Sequence, residues 1–287
     1  MISTSAATSP ASPRLRVLLI VTSLALLAAA LLATSGAAHA QGSFVGPKKY
    51  YLALGDSLAF GYQPNLDWSH GYANDFFTDL KGHGTQQLIN MGCPGETTST
   101  FIKGGCPYKI LDHYFYSGAQ LTAAVNFIKN HAGQVSPVTL DIGANDLTGD
   151  INTSTCVISA NWTTDEQNTI ARLTTIISTL KNALNGTGDL LVMNYYDPFQ
   201  NKCPDSVPNI QQFNSDIAST VSSLLGEQTV DVFTAFGGPT VYNTNLCTWT
   251  WYVTKPPCST NSSSPDIHAT RTGYSVIATT FESVYGF

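Results

Sequence analysis

Apolar residues follow two rhythms in this chain. Short, nearly unbroken apolar runs alternate with longer stretches in which apolar side chains recur at helical spacing. The first rhythm fits strands buried on both faces, and the second fits helices with one apolar stripe. Lys49–Gly55 ("KYYLALG") is expected to be a strand, Gly71–Lys81 a helix and Gln87–Met91 a short strand. Ala119–Asn130 is expected to be a helix with Leu121, Ala124, Val125 and Ile128 on one face, followed by a strand at Val138–Ile142. A long helix over Asp165–Leu184, a strand over Leu190–Tyr195 and a helix over Ile210–Leu225 come next. Thr229–Phe233 completes the strands and Thr272–Tyr285 closes the chain as a helix. This alternation predicts a three-layer α/β/α arrangement around a parallel sheet of about five strands. The loops at 93–118, 147–164 and 236–267 are long, and in such sheets reactive groups gather beyond the carboxyl ends of the strands.

The N-terminus breaks this rhythm. Arg14 and Arg16 precede an apolar run from Val17 to Leu32, and small residues lead to Ala38-His39-Ala40. That order describes a secretory leader over residues 1–40, cleaved after Ala40. The run falls short of the ~20 apolar residues of a spanning helix, so no membrane anchor is expected after cleavage. What remains, residues 41–287, is long enough for one α/β domain. Losing Arg14 and Arg16 takes the net charge from −6 to −8, and with no basic run the chain is a poor partner for nucleic acid.

All six cysteines lie in the exported part, where an even count favours disulfides over metal. Economy pairs neighbours: Cys93–Cys106, Cys156–Cys203 and Cys247–Cys258, one of fifteen connectivities. No CxxC pair or histidine spacing suggests a metal, and nothing calls for a cofactor.

Candidate chemistry sits where strands end. Ser57 follows the first strand in "GDSLAFGY"; a serine there either projects into the crevice or caps the next segment. "NMGCPGETT" follows the second strand, and Gly92 and Gly95 could bring a backbone N–H close to a ligand, or form a plain turn. "DIGANDL" follows the third, with Asn145 as an amide donor or an Asx-turn residue. Near the end, "SPDIHATRTGY" places Asp266 two residues before His268.

Together these pieces resemble the GDSL, or SGNH, family of serine esterases and lipases, over Tyr50 to Phe287. The resemblance implies a flavodoxin-like hydrolase fold, Ser57 as nucleophile and His268 as base. It also implies an oxyanion hole from the N–H groups of Ser57 and Gly95 and the side chain of Asn145. The family commonly places its acid three residues before the histidine, where this chain has Pro265. Asp266 is therefore one candidate orienter of His268, and a backbone carbonyl is the other. The proline usual after the histidine is replaced by Ala269.

The implied activity is hydrolysis of carboxylic esters, of lipids or small acyl groups, by a secreted monomer. A carbohydrate acetylesterase using the same site, and a degenerate binding module without catalysis, are the alternatives. If Asp266 orients His268, Asp266→Asn is expected to cost something approaching ~10⁴ in turnover. Tyr242, Trp249, Trp251 and Tyr252 are expected either to wall an acyl pocket or to pack over the Cys247–Cys258 loop.

Overall fold

The computed structural model of the chain describes residues 44–252 and 266–286. The leader expected over residues 1–40 lies outside the described residues. The strands are β1 (Tyr50–Gly55), β2 (Gln87–Asn90), β3 (Val135–Asp141), β4 (Ile151–Asn152), β5 (Val157–Ile158) and β6 (Leu190–Val192). β2, β1, β3 and β6 line up in that order as one parallel sheet, and β4 and β5 form a small antiparallel hairpin. Every residue of β1 and β3 is buried. Successive strand residues point to opposite faces, so both faces of the sheet are covered.

The long helices are α1 (Tyr72–Gly82), α2 (Gln120–Asn130), α3 (Trp162–Leu184), α4 (Val207–Leu225) and α5 (Arg271–Tyr285). The chain steps from β1 to β2 in one direction, then from β2 past β1 to β3 and β6 in the other. With right-handed crossovers, that reversal puts α1 on one face and α2 and α3 on the other. The helix contacts agree: α1 packs on α5, while α3 packs on both α2 and α4. Between α1 and α5 the Tyr72 ring stacks on Phe281 at 5.1 Å, with Phe76 at 5.7 Å from the same ring. All three side chains are fully buried. Removing such a side chain from water is worth roughly 1.5–3 kcal/mol, so this seam fixes the closing helix.

Three expectations need correction. The fifth strand, Thr229–Phe233, shrinks to one parallel bridge between Val230 and Met193. Asp231 accepts the Thr234 N–H and caps a helical turn over Val232–Ala235, so cap chemistry overrides a β-branched run. β6 proper ends at Val192; Met193 and Asn194 still bond to Leu140 and Val230, and at Tyr195 the N–H and C=O turn to the Asn214 side chain, at 3.0 and 2.8 Å, instead of a strand. β3 starts at Val135, ahead of the expected Val138, because Val135 pairs with Tyr50 across a register shift.

Two of the long loops are fastened by disulfides. Cys93 is bonded to Cys106 and Cys156 to Cys203, with Cα separations of 6.0 and 5.0 Å. The third expected pair involves Cys258, which lies outside the described residues. Among the described residues, no helix is long and apolar enough to cross a membrane. β1 and β3 are neighbours from which the chain departs in opposite directions, which opens a crevice at their carboxyl ends.

Candidate active site

β1 ends at Gly55, with φ of +141°, where a Cβ would lie 2.0 Å from the Asp141 carbonyl oxygen of β3. Only glycine allows the two strands to close at this point. Asp56, not Ser57, caps the helical turn Ser57–Phe60: its Oδ1 accepts the Leu58 N–H at 2.9 Å. The serine hydroxyl is thereby left to another partner. Gly55, Asp56, Leu58, Ala59 and Phe60 all spend their N–H groups inside the protein. The Ser57 N–H has no acceptor among the described residues.

The hydroxyl's partner is His268, whose Nε2 lies 2.7 Å from Ser57 Oγ. His268 Nδ1 is hydrogen-bonded to Asp266 Oδ1, and the same oxygen accepts the His268 backbone N–H at 2.9 Å. The two-residue spacing thus closes an Asx-type turn that folds the carboxylate back onto the ring. Burial alone would raise the Asp266 carboxyl. The hydrogen bond and charge of His268 outweigh it and hold that carboxyl below the usual range. Tyr196 donates its hydroxyl to the Ile267 carbonyl at 2.8 Å, and the Tyr62 ring packs 4.6 Å from the imidazole. Both restrain the ring's place.

Two more donors come from the loops after β2 and β3. Gly95 sits at φ +77°, a left-handed conformation that favours glycine, and its N–H has no acceptor among the described residues. Asn145 donates from Nδ2 to the Glu96 carbonyl at 3.0 Å, which sets the amide beside the Gly95 loop. Asp146 clamps the same two loops together. It accepts the Thr98 N–H at 2.8 Å and hydroxyl at 2.7 Å, and pairs with Arg172 at 2.9 Å. The arrangement is a hydroxyl bonded to an imidazole that is bonded to a carboxylate, with the Gly95 N–H and the second N–H of the Asn145 amide free of acceptors among the described residues.

Residues 53–276 match the model of the GDSL-like lipase/acylhydrolase family. The chain belongs to that family. Membership makes it an ester hydrolase. The fold of this GDSL-like hydrolase recurs in solved structures. A putative GDSL-like lipase from Parabacteroides merdae is 14% identical, with a TM-score of 0.54 over 84% of this chain and 97% of that one. An acetyl xylan esterase from Geobacillus stearothermophilus is 15% identical, with a TM-score of 0.52 over 84% of this chain and 96% of that one. No curated protein sequence matches the chain.

A pocket opens from Ser57 and His268 in this GDSL-like site. Its walls are apolar, with Leu147, Ile151, Trp162, Phe199, Ile210 and Phe213 among them, and Tyr195 and Tyr196 also line it. None of the loop aromatics singled out in the sequence reaches it. Trp249 packs edge-on against Phe236 at 5.4 Å, Tyr252 against Phe199 at 5.3 Å, and Tyr242 is exposed. Cys93, Cys106 and Asp112 are the one close group of possible metal ligands among the described residues. Both of its sulfurs are spent in a disulfide, which leaves no thiolate for an ion.

Several buried polar residues beneath the site were not singled out in the sequence. Asp141, at the end of β3, accepts the Ala59 N–H at 3.1 Å and the Tyr72 hydroxyl at 2.6 Å. Burial pushes both this carboxyl and that of Asp56 up, Asp56 to about 6 and Asp141 well above the usual carboxylate range, with the charge of Asp56 adding to the cost of ionising Asp141. Glu96 and Gln120 lie fully buried on the other side of Gly55, with burial pushing the Glu96 carboxyl up to about 7. An acid at the carboxyl end of an apolar strand, as in "TLD", was the signal available for Asp141.

Proposed function

We propose that this chain is a secreted serine esterase that cleaves carboxylic esters of apolar acyl groups through an acyl-Ser57 intermediate. The observation that carries the reading is the chain of contacts from Asp266 through His268 to Ser57 Oγ at the mouth of an apolar pocket. His268 Nε2 takes the Ser57 proton as Oγ attacks the ester carbonyl. The N–H groups of Ser57 and Gly95 and the Asn145 amide receive the oxyanion. Collapse expels the alcohol, protonated by His268, and water then releases the acid by the same steps in reverse roles. Asp266 orients the imidazole and balances its charge while it is protonated.

The apolar walls favour an alkyl or aryl acyl group over an acetyl group on a carbohydrate, which would leave them unfilled. The leader over residues 1–40 and the two disulfides support export, leaving residues 41–287 as a single catalytic domain. Every group of the site comes from one chain, so a monomer suffices. A series of p-nitrophenyl esters from acetate to decanoate, run beside acetylated xylan, tests the reading. Turnover that rises beyond acetate and vanishes in Ser57→Ala supports it. A preference for acetylated xylan makes the chain a carbohydrate acetylesterase, and no turnover on any ester makes it a binding module.

A further inference from the structure

Gly55 occupies an awkward place. It lies past the last β1–β2 pair, Ala53 with Asn90, and directly precedes the nucleophile turn. Beyond that pair the Cys93 N–H still donates to the Gly55 carbonyl at 3.0 Å, while the Gly55 N–H finds its acceptor in a side chain. Gln120, the first residue of α2 and fully buried, accepts the Gly55 N–H on Oε1 at 2.7 Å. Its Nε2 donates to the Gly55 carbonyl at 3.0 Å and to Glu96 Oε2 at 2.6 Å. Glu96 in turn directly follows Gly95, and its carbonyl accepts the Asn145 amide at 3.0 Å. Beside the Cys93–Gly55 backbone bond, one amide side chain thus adds a second link from the strand that carries Ser57 to the loop that carries Gly95, and this one runs through Glu96 to Asn145.

We propose that Gln120 and Glu96 are positioning residues that hold the Gly95 N–H and the Asn145 amide in register with the Ser57 N–H, so that the three donors converge on one oxyanion. The proposal rests on the reading of those three groups given above. Neither residue touches the reacting atoms. Their effect reaches the reaction through donor geometry, where a misplacement of about 1 Å costs on the order of 10² in rate. Gln120 is suited because only an amide offers an acceptor to the Gly55 N–H and two donors to the Gly55 carbonyl and Glu96. The Glu96 carboxyl is an acceptor in this link, so a glutamine at 96 can keep the bond through its own carbonyl oxygen.

The test compares Gln120→Leu, Glu96→Ala and Glu96→Gln in the mature protein. A fluorophosphonate titration first counts competent sites, so that misfolded protein does not enter the rates. On p-nitrophenyl butyrate, Gln120→Leu and Glu96→Ala should each lose about tenfold to a hundredfold in kcat per titrated site, with KM changed by less than about twofold. A trifluoromethyl ketone, which forms a tetrahedral oxyanion on the serine, should bind more weakly by a similar factor. Glu96→Gln should stay within about threefold of the parent in both, because it retains the acceptor. If the leucine or alanine variant does not fold, Gln120→Asn and Glu96→Asp, each one methylene short, replace them and are held to the same expectation.

The proposal is overturned if kcat per site stays within about twofold of the parent in both link-breaking variants, or if the loss falls on KM with ketone affinity unchanged. A parent protein that fluorophosphonate does not label would instead sink the reading of Ser57 itself.

Discussion

Replacing Asp266 with asparagine separates charge from geometry at the base. In the usual acid–histidine pair, an asparagine can turn its amide toward the ring, invert the tautomer and cost ~10⁴ in turnover. Here one oxygen, Oδ1, accepts both the His268 backbone N–H at 2.9 Å and the ring Nδ1. The backbone bond pins that oxygen in place, so an asparagine in the same turn still presents Oδ1 to the ring and its NH₂ where Oδ2 lies. The working tautomer is kept, and only the charge is lost. A hydrogen bond to a charged group contributes about 1.5–3 kcal/mol, or roughly 10- to 150-fold at 1.36 kcal/mol per decade. The side chains of His268 and Asp266 keep 17% and 24% of their exposure, so solvent screening favours the lower half of that range. Asp266→Asn should therefore lose about 10- to 50-fold in kcat/KM on p-nitrophenyl butyrate, and Asp266→Ala about 10³ or more, since it removes the turn as well. A loss below about threefold in both variants would mean that another group orients His268. A loss near ~10⁴ in the asparagine variant would mean that the shared-oxygen geometry is wrong.

Other outcomes follow from the same contacts. Asn145→Ala should cost about 10²–10³ in kcat with a smaller change in KM; equal kcat would remove the amide from the oxyanion site. Thermal stability should fall as pH rises from about 4 to about 7. Burial pushes the Asp197 carboxyl up to about 6 and the Glu96 carboxyl up to about 7, so the native chain keeps protons there that the unfolded chain has already released. A Tm at pH 8 above that at pH 5 would contradict this sign. Asp266 acts oppositely and lower down: its depressed carboxyl adds stability above its unfolded value, and that contribution is lost only in stronger acid. The Cys156–Cys203 bond spans 47 residues and the Cys93–Cys106 bond 13. By chain entropy, paired alanine replacement should cost about 4 and about 3 kcal/mol respectively, read by urea unfolding, and the reverse order would point to strain or residual structure instead.

Much of this arrangement was legible in the sequence because its chemistry follows strand ends. Ser57, Gly95 and Asn145 each sit just past an apolar run, and His268 stands before a capped closing helix. Family resemblance assigned them roles that each short motif could not carry alone. Asp266 remains the proposed orienter: a spacing of two looks like a departure, and the turn through the His268 N–H is what brings its carboxylate to the ring. Gln120, Glu96, Asp141 and Tyr72 stayed hidden because their partners are distant in sequence. Gln120 lies 65 residues from Gly55, and Asp141 lies 82 from Ala59. In a one-dimensional reading each is an ordinary polar residue in a helix or strand pattern. The fifth strand was misread for the opposite reason, because Asp231, a local cap, outweighed the apolar run around it. The loop aromatics Trp249 and Tyr252 turned inward onto neighbouring rings and left the pocket to side chains from α3, α4 and the loops after β3 and β6.

The most direct test of the account is where a fluorophosphonate attaches. Mass spectrometry of the digested, inhibited protein should find the adduct on the peptide containing Ser57, at one label per chain, with activity lost in proportion. His268→Ala should take up the label far more slowly, because no base then draws off the serine proton. An active protein that carries no adduct, or carries it on another residue, would contradict the account.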